Sequence, residues 1–270
     1  MPELPEVEIA KRFAEHHLLG RVFRAEVIDD EAPRTSKEEF IRATHGRRVA
    51  SFERYGKNLF LLLDRGVMGL HLGMSGKLLW RRTAAPLPPH TRAAFHTDSG
   101  FVAFVDVRRF GHIDAGSRED VFERAKVASL GPDALSIDGP KSFRRALGQS
   151  RSAIKTRLMN QARIAGLGNI QACEALFRAR IDPRALTSVL DESQVLALYT
   201  GMMESIEHTL RTTPGDEVQY MSDGAHVANP FLVYGREKES CGRCKSPIQR
   251  FPQSGRSTFW CPRCQSQEAS

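Results

Sequence analysis

Four of the five cysteines form two Cys-x-x-Cys pairs near the C-terminal end of the sequence. The pairs are Cys241/Cys244 and Cys261/Cys264, and sixteen residues separate them. Four thiolates at this spacing are typical of the closed tetrahedral shell of a structural Zn²⁺, which leaves no coordination position for a substrate. A redox pair or two unrelated pairs are the alternatives, and the spacing favours neither. We therefore predict one structural zinc ion and a short β-hairpin between the two pairs.

The first residues of the chain could supply an amine nucleophile beside two carboxyl groups. Removal of the initiator methionine is expected before Pro2, whose secondary amine would then be exposed. An α-amino group has a pKa of about 8, so a fraction is neutral at pH 7 and can attack an aldehyde-like carbon to form an iminium. Glu3 and Glu6 could donate a proton and orient the amine. Taken alone, these residues favour the alternative, an ordinary acidic helix start.

A glycine-rich turn, Gly166-Leu-Gly168-Asn169, lies between two predicted helices. Glycine tolerates positive φ and leaves backbone N–H groups uncovered, and Asn169 is a good N-cap. A turn that leads into a helix N-terminus can bind an anion, and phosphate suits the basic residues nearby. These are Arg151, Lys155, Arg157 and Arg163. An ordinary helical hairpin is an equally good interpretation of this turn.

Basic residues outnumber acidic ones by 39 to 32, and the excess lies in the C-terminal half. Residues 141–190 carry ten Lys or Arg against two acids, and residues 236–264 carry seven against two. Thirty of the basic residues are Arg, whose planar guanidinium matches phosphate better than an ammonium does. This distribution indicates a polyanionic partner, with a solvated basic surface as the alternative.

The composition excludes several classes of protein. Of the 270 residues, 41% are hydrophobic and 26% charged, which supports a packed core and argues against wholesale disorder. The longest apolar runs are strand-sized, too short for a membrane span. The acidic N-terminus does not resemble a secretory signal. We therefore expect a cytoplasmic, bacterial-type protein with reduced cysteines and no membrane partner.

The hydrophobic periodicity changes along the chain. It predicts a helix over residues 6–17, five short strands before residue 115, a loop at 84–89, and helices from residue 140 onward. Residues 130–138 resemble a linker, and residues 213–224 a loop. The predicted strands are 22–28, 49–53, 58–64, 67–72 and 101–106, and the predicted helices are 142–147, 152–161, 169–179 and 192–212. We expect an α+β multidomain chain with domains at 1–130, 131–235 and 236–270.

Together, the motifs of the sequence resemble the formamidopyrimidine-DNA glycosylase family, which includes endonuclease VIII. The matching motifs occur in the family's order and span nearly the whole chain. They are MPELPEVE at the start, YGKNL (55–59), HLGMSG (71–76), RRFG (108–111), LGP (130–132), IK (154–155), GLGNI (166–170), VYGR (233–236) and the four cysteines. The resemblance implies an N-terminal β-sandwich with an N-terminal helix, a helix–two-turn–helix domain and a zinc-finger β-hairpin. It also implies a monomer that binds damaged double-stranded DNA in a cleft.

The activity implied by the resemblance is that of a bifunctional DNA glycosylase and AP lyase of base excision repair. Pro2 would attack C1′ of the damaged nucleotide, Glu3 would donate a proton in base excision and ring opening, and Glu6 would position the N-terminus. Lys57 and Arg256 are the family's usual residues for the β- and δ-elimination steps. A phosphate contact suits Arg256 better, because a guanidinium with a pKa above about 12 is a poor proton donor.

The remaining roles implied by the resemblance concern contacts with DNA. Phosphates flanking the lesion would be bound by Lys57, His71, Asn169 and Arg256. The gap left by the flipped nucleotide would be filled by Met74, Arg108 and Phe110. Further DNA contacts would come from His90, Arg151 and Lys155. The alternatives are a surface lysine at a strand start for Lys57, a solvated Arg108–Arg109 pair, and core positions for Met74 and Phe110.

The sequence departs from the family pattern where the base is recognised. Gln171 replaces a common Tyr, Asn160 an Asp and Val107 a Pro, and the stretch 216–232 lacks the usual Gly-x-Phe. The MPELPE start and the Met74/Arg108/Phe110 set favour the branch that removes 8-oxoguanine and formamidopyrimidines. An endonuclease VIII-like enzyme for oxidised pyrimidines and a non-catalytic damaged-DNA binding protein are the alternatives.

Overall fold

The computed structural model describes residues 2–213 and 229–266. The chain forms two compact units, which meet in the sequence between Ala128 and Ser129. Among the described residues, no helix is both long enough and apolar enough to cross a membrane. The predicted loop at 213–224 lies outside the described residues except for Thr213. The domain boundaries at 130/131 and 235/236 remain predictions.

The N-terminal unit begins with helix α1 (Leu4–Leu18). Glu3 is its N-cap residue, in an extended conformation, and a proline occupies the first turn. One face of α1 is buried, and it packs on the β-strands through Val7, Phe13 and Leu18. Two further short helices lie in this unit, α2 (Lys37–Thr44) and α3 (Arg118–Arg124).

Eight antiparallel strands follow one another in the order β5-β7-β6-β1-β2-β3-β4-β8. They are β1 (Val22–Val27), β2 (Arg47–Tyr55), β3 (Asn58–Leu63), β4 (Val67–His71), β5 (Lys77–Arg81), β6 (Thr91–His96), β7 (Phe101–Val105) and β8 (His112–Gly116). Strands β1 and β2 pair at two positions only, so the ladder divides there into two four-stranded halves. One hydrophobic core contains side chains from both halves and from α1. The two halves therefore enclose a common core, as in the predicted sandwich.

Three strands and two helices of this unit were not predicted. Strand β6 (TRAAFH) and strand β8 (HIDAG) contain Ala, Asp and Gly, residues with low intrinsic strand preference. Strand β5 (KLLWR) is five residues long and has charged ends. Pairing with neighbouring strands determines these segments, and a sequence pattern does not contain that information.

The described residues of the C-terminal unit form four α-helices and a hairpin. The helices are α4 (Gly139–Leu147), α5 (Ile154–Leu158), α6 (Asn169–Ala179) and α7 (Glu192–Thr212). The bounds predicted for α6 and α7 are confirmed. Helix α5 is shorter than the predicted 152–161, because Ser150 and Ser152 bond to each other before it and a turn organised by Gln161 follows it.

Strands β9 (Gln249–Gln253) and β10 (Arg256–Trp260) form the predicted hairpin between the two cysteine pairs. Its two-residue turn has positive φ at both Ser254 and Gly255, the geometry that fits the right-handed twist of the strands. The expected α+β architecture is confirmed, with an N-terminal β-structure and helix, a helical part and a C-terminal four-cysteine hairpin.

Candidate functional site

The N-terminal arm, residues 2–6, contains two buried carboxyl groups, those of Glu3 and Glu6. Glu3 is 1% exposed and Glu6 is 7% exposed. The backbone N–H of Glu3 donates to Oε2 of Glu6 at 2.8 Å, which fixes the start of α1. Burial, together with the nearby Glu3 carboxylate, raises the pKa of Glu6 to about 7. Near neutral pH the arm therefore contains one carboxyl group that readily exchanges its proton.

Helix α1 is tied to the turn that carries Lys57. Nε of Arg54 lies 3.0 Å from Oε2 of Glu8 in α1. The same guanidinium donates from Nη1 to the carbonyl of Gly56 at 3.0 Å. Lys57 is the next residue, half-buried in the β2–β3 turn. Because the Arg54 side chain is only 7% exposed, this ion pair limits movement of the turn relative to the helix.

His71, at the end of β4, stacks on His112 with 5.0 Å between the ring centroids. Burial, together with the positive charges of Lys57 and Arg34, lowers the pKa of His71 to about 4. Burial and Arg34 lower the pKa of His112 to about 3. The Gly73 N–H donates to Nδ1 of His71 at 3.1 Å, so the ring proton is on Nε2. At neutral pH, His71 is therefore an uncharged hydrogen-bond donor close to Lys57.

The three residues expected to fill a gap in the duplex lie on two loops of the N-terminal unit. Met74 is half-buried, Arg108 is exposed, and Phe110 is 58% exposed. The Arg108 guanidinium lies over the Phe110 ring at 5.3 Å from its centroid. The alternative that Phe110 is a core residue is therefore wrong. His90 is exposed and has a positive φ just before β6.

In the C-terminal unit, two of the expected DNA contacts are fastened to the start of β10. Asn169 donates from Nδ2 to the carbonyl of Ser257 at 2.9 Å. Lys155 donates from Nζ to the same carbonyl at 3.3 Å and to Oγ1 of Thr258 at 2.8 Å. Arg256, which is exposed, precedes these residues directly, and Arg151 is exposed before α5.

These contacts give Lys155 a structural role. Its side chain is 1% exposed, and its ammonium bonds to the hairpin. In this position the ammonium supports β10, and the expected contact with DNA stays a prediction. The sequence motif singled out Lys155, but it does not show whether the side chain is buried, because burial depends on how the unit packs.

The glycine turn differs from expectation in two respects. The N-cap of α6 is Gly168, with an extended φ of −130°, and Asn169 is already helical. Asn169 therefore does not cap α6, and its side chain contacts β10 instead. Gly166 does adopt a positive φ of 103°, but its N–H donates to Oε1 of Gln161 at 2.9 Å. Because this N–H is already bonded, the turn fits the interpretation as a helical hairpin better than an anion site.

The four cysteines have the geometry of a zinc shell. Their Sγ atoms all lie within 4.8 Å of one another. The Cys241–Cys264 and Cys244–Cys261 Sγ separations are 3.9 Å and 3.4 Å. A tetrahedron with Zn–S bonds of about 2.3 Å has edges of about 3.8 Å, so the set fits one Zn²⁺. The ion would supply structural cross-linking of the hairpin, and no reaction step.

Three family profiles match the chain, each in a different region. The formamidopyrimidine-DNA glycosylase N-terminal domain matches residues 1–113, and the H2TH domain of that enzyme matches residues 130–219. The zinc finger found in FPG and IleRS matches residues 238–267. A formamidopyrimidine-DNA glycosylase from Paracoccus denitrificans is 36% identical over 98% of this chain and 100% of its own length. One from Gluconobacter oxydans is 38% identical with the same coverage.

The chain belongs to the formamidopyrimidine-DNA glycosylase family. This confirms the resemblance found in the sequence, and the family's zinc finger together with the four-cysteine cluster confirms one structural zinc ion. Among solved structures, the Lactococcus lactis enzyme in complex with abasic-site DNA has a TM-score of 0.86 at 29% identity. The alignment covers 98% of this chain and 100% of that one. The same enzyme with DNA containing an oxidised pyrimidine gives a TM-score of 0.87 at 30% identity.

Sequence reasoning missed several buried polar residues of this glycosylase. Asp106 and Arg92 are 1% and 2% exposed and bond to the loop that carries Arg108. Glu174 is fully buried and accepts the backbone N–H groups of three consecutive residues, Leu232–Tyr234. A charged residue within an apolar run, as in ACEAL, was the available signal for Glu174.

Gln171, one of the departures from the family pattern, also has a structural role. It is fully buried, donates to Oγ1 of Thr209 at 2.9 Å and accepts from Oγ of Ser205 at 2.6 Å. The amide thus joins α6 to α7. The departure at 216–232 lies outside the described residues as far as residue 228.

Proposed function

We propose that this protein excises 8-oxoguanine and formamidopyrimidines from double-stranded DNA and then cleaves the strand at the resulting site. Its family consists of DNA glycosylases of base excision repair that also have AP lyase activity, and its structural neighbours are complexes with damaged DNA. The purine preference, the covalent mechanism, the residue roles and the monomeric state are the proposal. The observation that carries it is the pair of buried carboxyl groups, Glu3 and Glu6, that follow Pro2 in the sequence and are joined by the Glu3 N–H.

The first step is attack of the Pro2 nitrogen on C1′ of the damaged nucleotide. The bond between C1′ and the base breaks, and the base leaves with a proton that balances the one the Pro2 nitrogen loses when it bonds to C1′. Glu3 donates the proton that opens the sugar at O4′, and the product is an iminium between Pro2 and C1′. Glu6, which accepts the Glu3 N–H, positions the arm. With a pKa of about 7, Glu6 is partly protonated at neutral pH and can take up or release a proton during these steps.

The iminium then makes strand cleavage possible. It acidifies the C2′ proton, whose removal expels the 3′ phosphate from C3′. The conjugated iminium then acidifies the C4′ proton, whose removal expels the 5′ phosphate from C5′. Hydrolysis of the remaining iminium by water releases the sugar fragment and regenerates the Pro2 amine. In the arm, Glu3 and Glu6 are the groups able to carry these protons, and Lys57 is held in its turn near His71.

The nucleotide must leave the stack before this chemistry can start. Rotation out of the duplex costs a few kcal/mol, less for a damaged pair, and phosphate contacts on both sides offset that cost. Lys57 and Arg256 supply charge to these contacts, and His71 supplies a neutral N–H. Asn169 and Lys155 act through β10, since both bond to the residues that follow Arg256.

The wedge comes from Met74, Arg108 and Phe110. Phe110 is largely exposed although apolar, which suits insertion between bases. Arg108, stacked over the Phe110 ring, is exposed and able to hydrogen-bond the base left without a partner. The support for this assignment is the placement of the exposed Phe110 ring beside the exposed Arg108 on the same loop.

A panel of duplexes tests the substrate assignment. It carries 8-oxoguanine, a formamidopyrimidine, thymine glycol, dihydrouracil or an abasic site, and single-turnover excision is measured. We expect excision of both purine lesions to be faster than that of either pyrimidine lesion. Turnover of pyrimidine lesions alone would favour the second candidate, which the Lactococcus lactis complex with an oxidised pyrimidine motivates. Binding without turnover on any duplex would favour the non-catalytic protein.

A further inference from the structure

Asp106 is a buried carboxylate at the junction of the two loops proposed to enter the DNA. It follows β7 directly, and its side chain is fully buried. Oδ1 accepts the Arg108 N–H at 3.2 Å and the Ser75 hydroxyl. Oδ2 accepts the Gly111 N–H at 2.7 Å. The carboxylate thus holds both ends of the segment from Arg108 to Gly111.

Ser75 extends this contact to the loop that carries Met74. Its Oγ donates to Asp106 and accepts the Arg108 N–H at 3.0 Å. The two loops also touch through their backbones. A Cβ at Gly73 would lie 2.3 Å from the Gly111 nitrogen, and Gly73 has a φ of 62°. Met74 therefore sits between Gly73, which abuts Gly111, and Ser75, which bonds to Asp106.

An ion network holds the far side of the same loop. Arg92 is 3% exposed in its side chain, donates to the Gly111 carbonyl and lies 3.9 Å from Oδ2 of Asp106. Asp29 accepts from Nε of Arg92 at 2.7 Å and from Nη2 of Arg109 at 2.8 Å. Arg109 has a positive φ of 59°, a conformation that the ion pair helps to maintain. The exposed side chains of the loop are thus carried on a backbone with few degrees of freedom.

We propose that Asp106 is a positioning residue that couples the Met74 loop to the Arg108–Phe110 loop and holds the wedge ready before DNA is bound. The proposal rests on the proposed function, because it assigns a purpose to the proposed wedge. A loop ordered in advance does not lose conformational entropy on binding, so more of the contact energy is available to open the duplex. Hydrogen bonds to a buried carboxylate suit this task, because they are stronger than those to a neutral group.

The test replaces Asp106 with asparagine. An amide has about the same size as a carboxylate, but only its oxygen accepts hydrogen bonds. Its NH2 group would therefore face a donor, either the Gly111 N–H or the Ser75 hydroxyl and the Arg108 N–H. Single-turnover excision is measured on 8-oxoguanine paired with cytosine, and strand cleavage on an abasic site in a single-stranded oligonucleotide. Only the first substrate requires the duplex to be opened. We expect Asp106→Asn to lower the ratio of the two rates by roughly ten- to a hundredfold.

Two further variants make the result interpretable. Asp98→Asn is the matched control, because Asp98 is an 87% exposed carboxylate in an ion pair of the same unit, and its ratio should stay at the wild-type value. Ser75→Ala removes one contact without introducing an opposed donor, and we expect a smaller loss in the same direction. This variant keeps the test open if Asp106→Asn does not fold, as judged by circular dichroism.

A fluorescent reporter separates positioning from general damage to the fold. With 2-aminopurine beside the lesion, the rise in fluorescence reports opening of the duplex, and this rise should slow in Asp106→Asn and in Ser75→Ala. A rate ratio that stays at the wild-type value in both variants would overturn the proposal, whether neither rate changes or both rates fall equally. If the wild-type protein cleaves neither substrate, the proposed function fails instead.

Discussion

Replacing Glu6 with glutamine should make the protein more stable than the wild type at high pH and not at low pH. Glu6 is 7% exposed, and its pKa is raised from 4.5 to about 7, first by burial and then by Glu3. A raised folded-state pKa means that folding favours the protonated carboxyl group. Its stabilising contribution is complete below pH 4.5 and disappears as the pH rises through 7. Glutamine does not ionise, and its Oε1 still accepts the Glu3 N–H.

The size of the effect follows from the shift. One pKa unit corresponds to about 1.4 kcal/mol, so the change from 4.5 to about 7 corresponds to about 3 kcal/mol. Between pH 5 and 8.5 the wild type should lose most of this free energy relative to Glu6→Gln, with a midpoint near pH 6, between the two pKa values, and a plateau above pH 7. Urea denaturation of both proteins across this range measures the difference, and the m-values show whether the transitions remain comparable.

Glu38→Gln provides the matched control, because Glu38 is an exposed carboxylate in the first turn of α2. Its difference from the wild type should be small and should not change between pH 5 and pH 7. A Glu6→Gln difference that stays constant from pH 5 to 8.5 would refute the reasoning. A Glu6→Gln protein that is less stable at pH 8.5 than at pH 5, relative to the wild type, would refute the sign.

Three other perturbations have expected outcomes. Glu174→Gln should lower the free energy of unfolding by about 2–4 kcal/mol, because three backbone N–H groups and Arg178 share the buried carboxylate. Denaturation measures this loss, with the exposed Glu192→Gln as the control. Cys261→Ser should abolish binding of the single zinc ion, which mass spectrometry measures. It should also weaken DNA binding, because the hairpin that bonds to Asn169 loses its cross-link. Full DNA affinity without zinc would contradict this. Lys57→Met should reduce the slope of log K against log salt by about one, whereas His71→Gln should leave it unchanged, because His71 is neutral at pH 7. An equal change in slope would show that His71 is charged.

The sequence predicted best those features that depend on local spacing. Helices α6 and α7 have a clear helical period over 11 and 21 residues, and their bounds are confirmed. The cysteine spacing alone defined the zinc site, since a tetrahedral shell restricts both knuckles. The N-terminal arm needed the family resemblance, because Pro and Glu at a helix start have an ordinary explanation.

The features that were missed depend on contacts between distant segments. Strands β6 and β8 are short and poor in strand-forming residues, and pairing with their neighbours determines them. Lys155 and Asn169 both contact Ser257, which lies 102 and 88 residues further along the chain. The orientation of these side chains therefore could not be read from the helices that carry them. Asp106 precedes the recognised RRFG motif, but its importance becomes visible only through its burial and its hydrogen bonds.

Borohydride trapping followed by peptide mapping tests the covalent mechanism most directly. The protein, with its initiator methionine removed, is incubated with a duplex carrying 8-oxoguanine in the presence of sodium borohydride, and the adduct is digested and sequenced by mass spectrometry. We predict that the reduced sugar is attached to the Pro2 nitrogen and that Pro2→Gly weakens trapping, while an N-terminal tag abolishes it. An adduct attached to Lys57 or to any other lysine, or undiminished trapping by the tagged protein, would contradict the account.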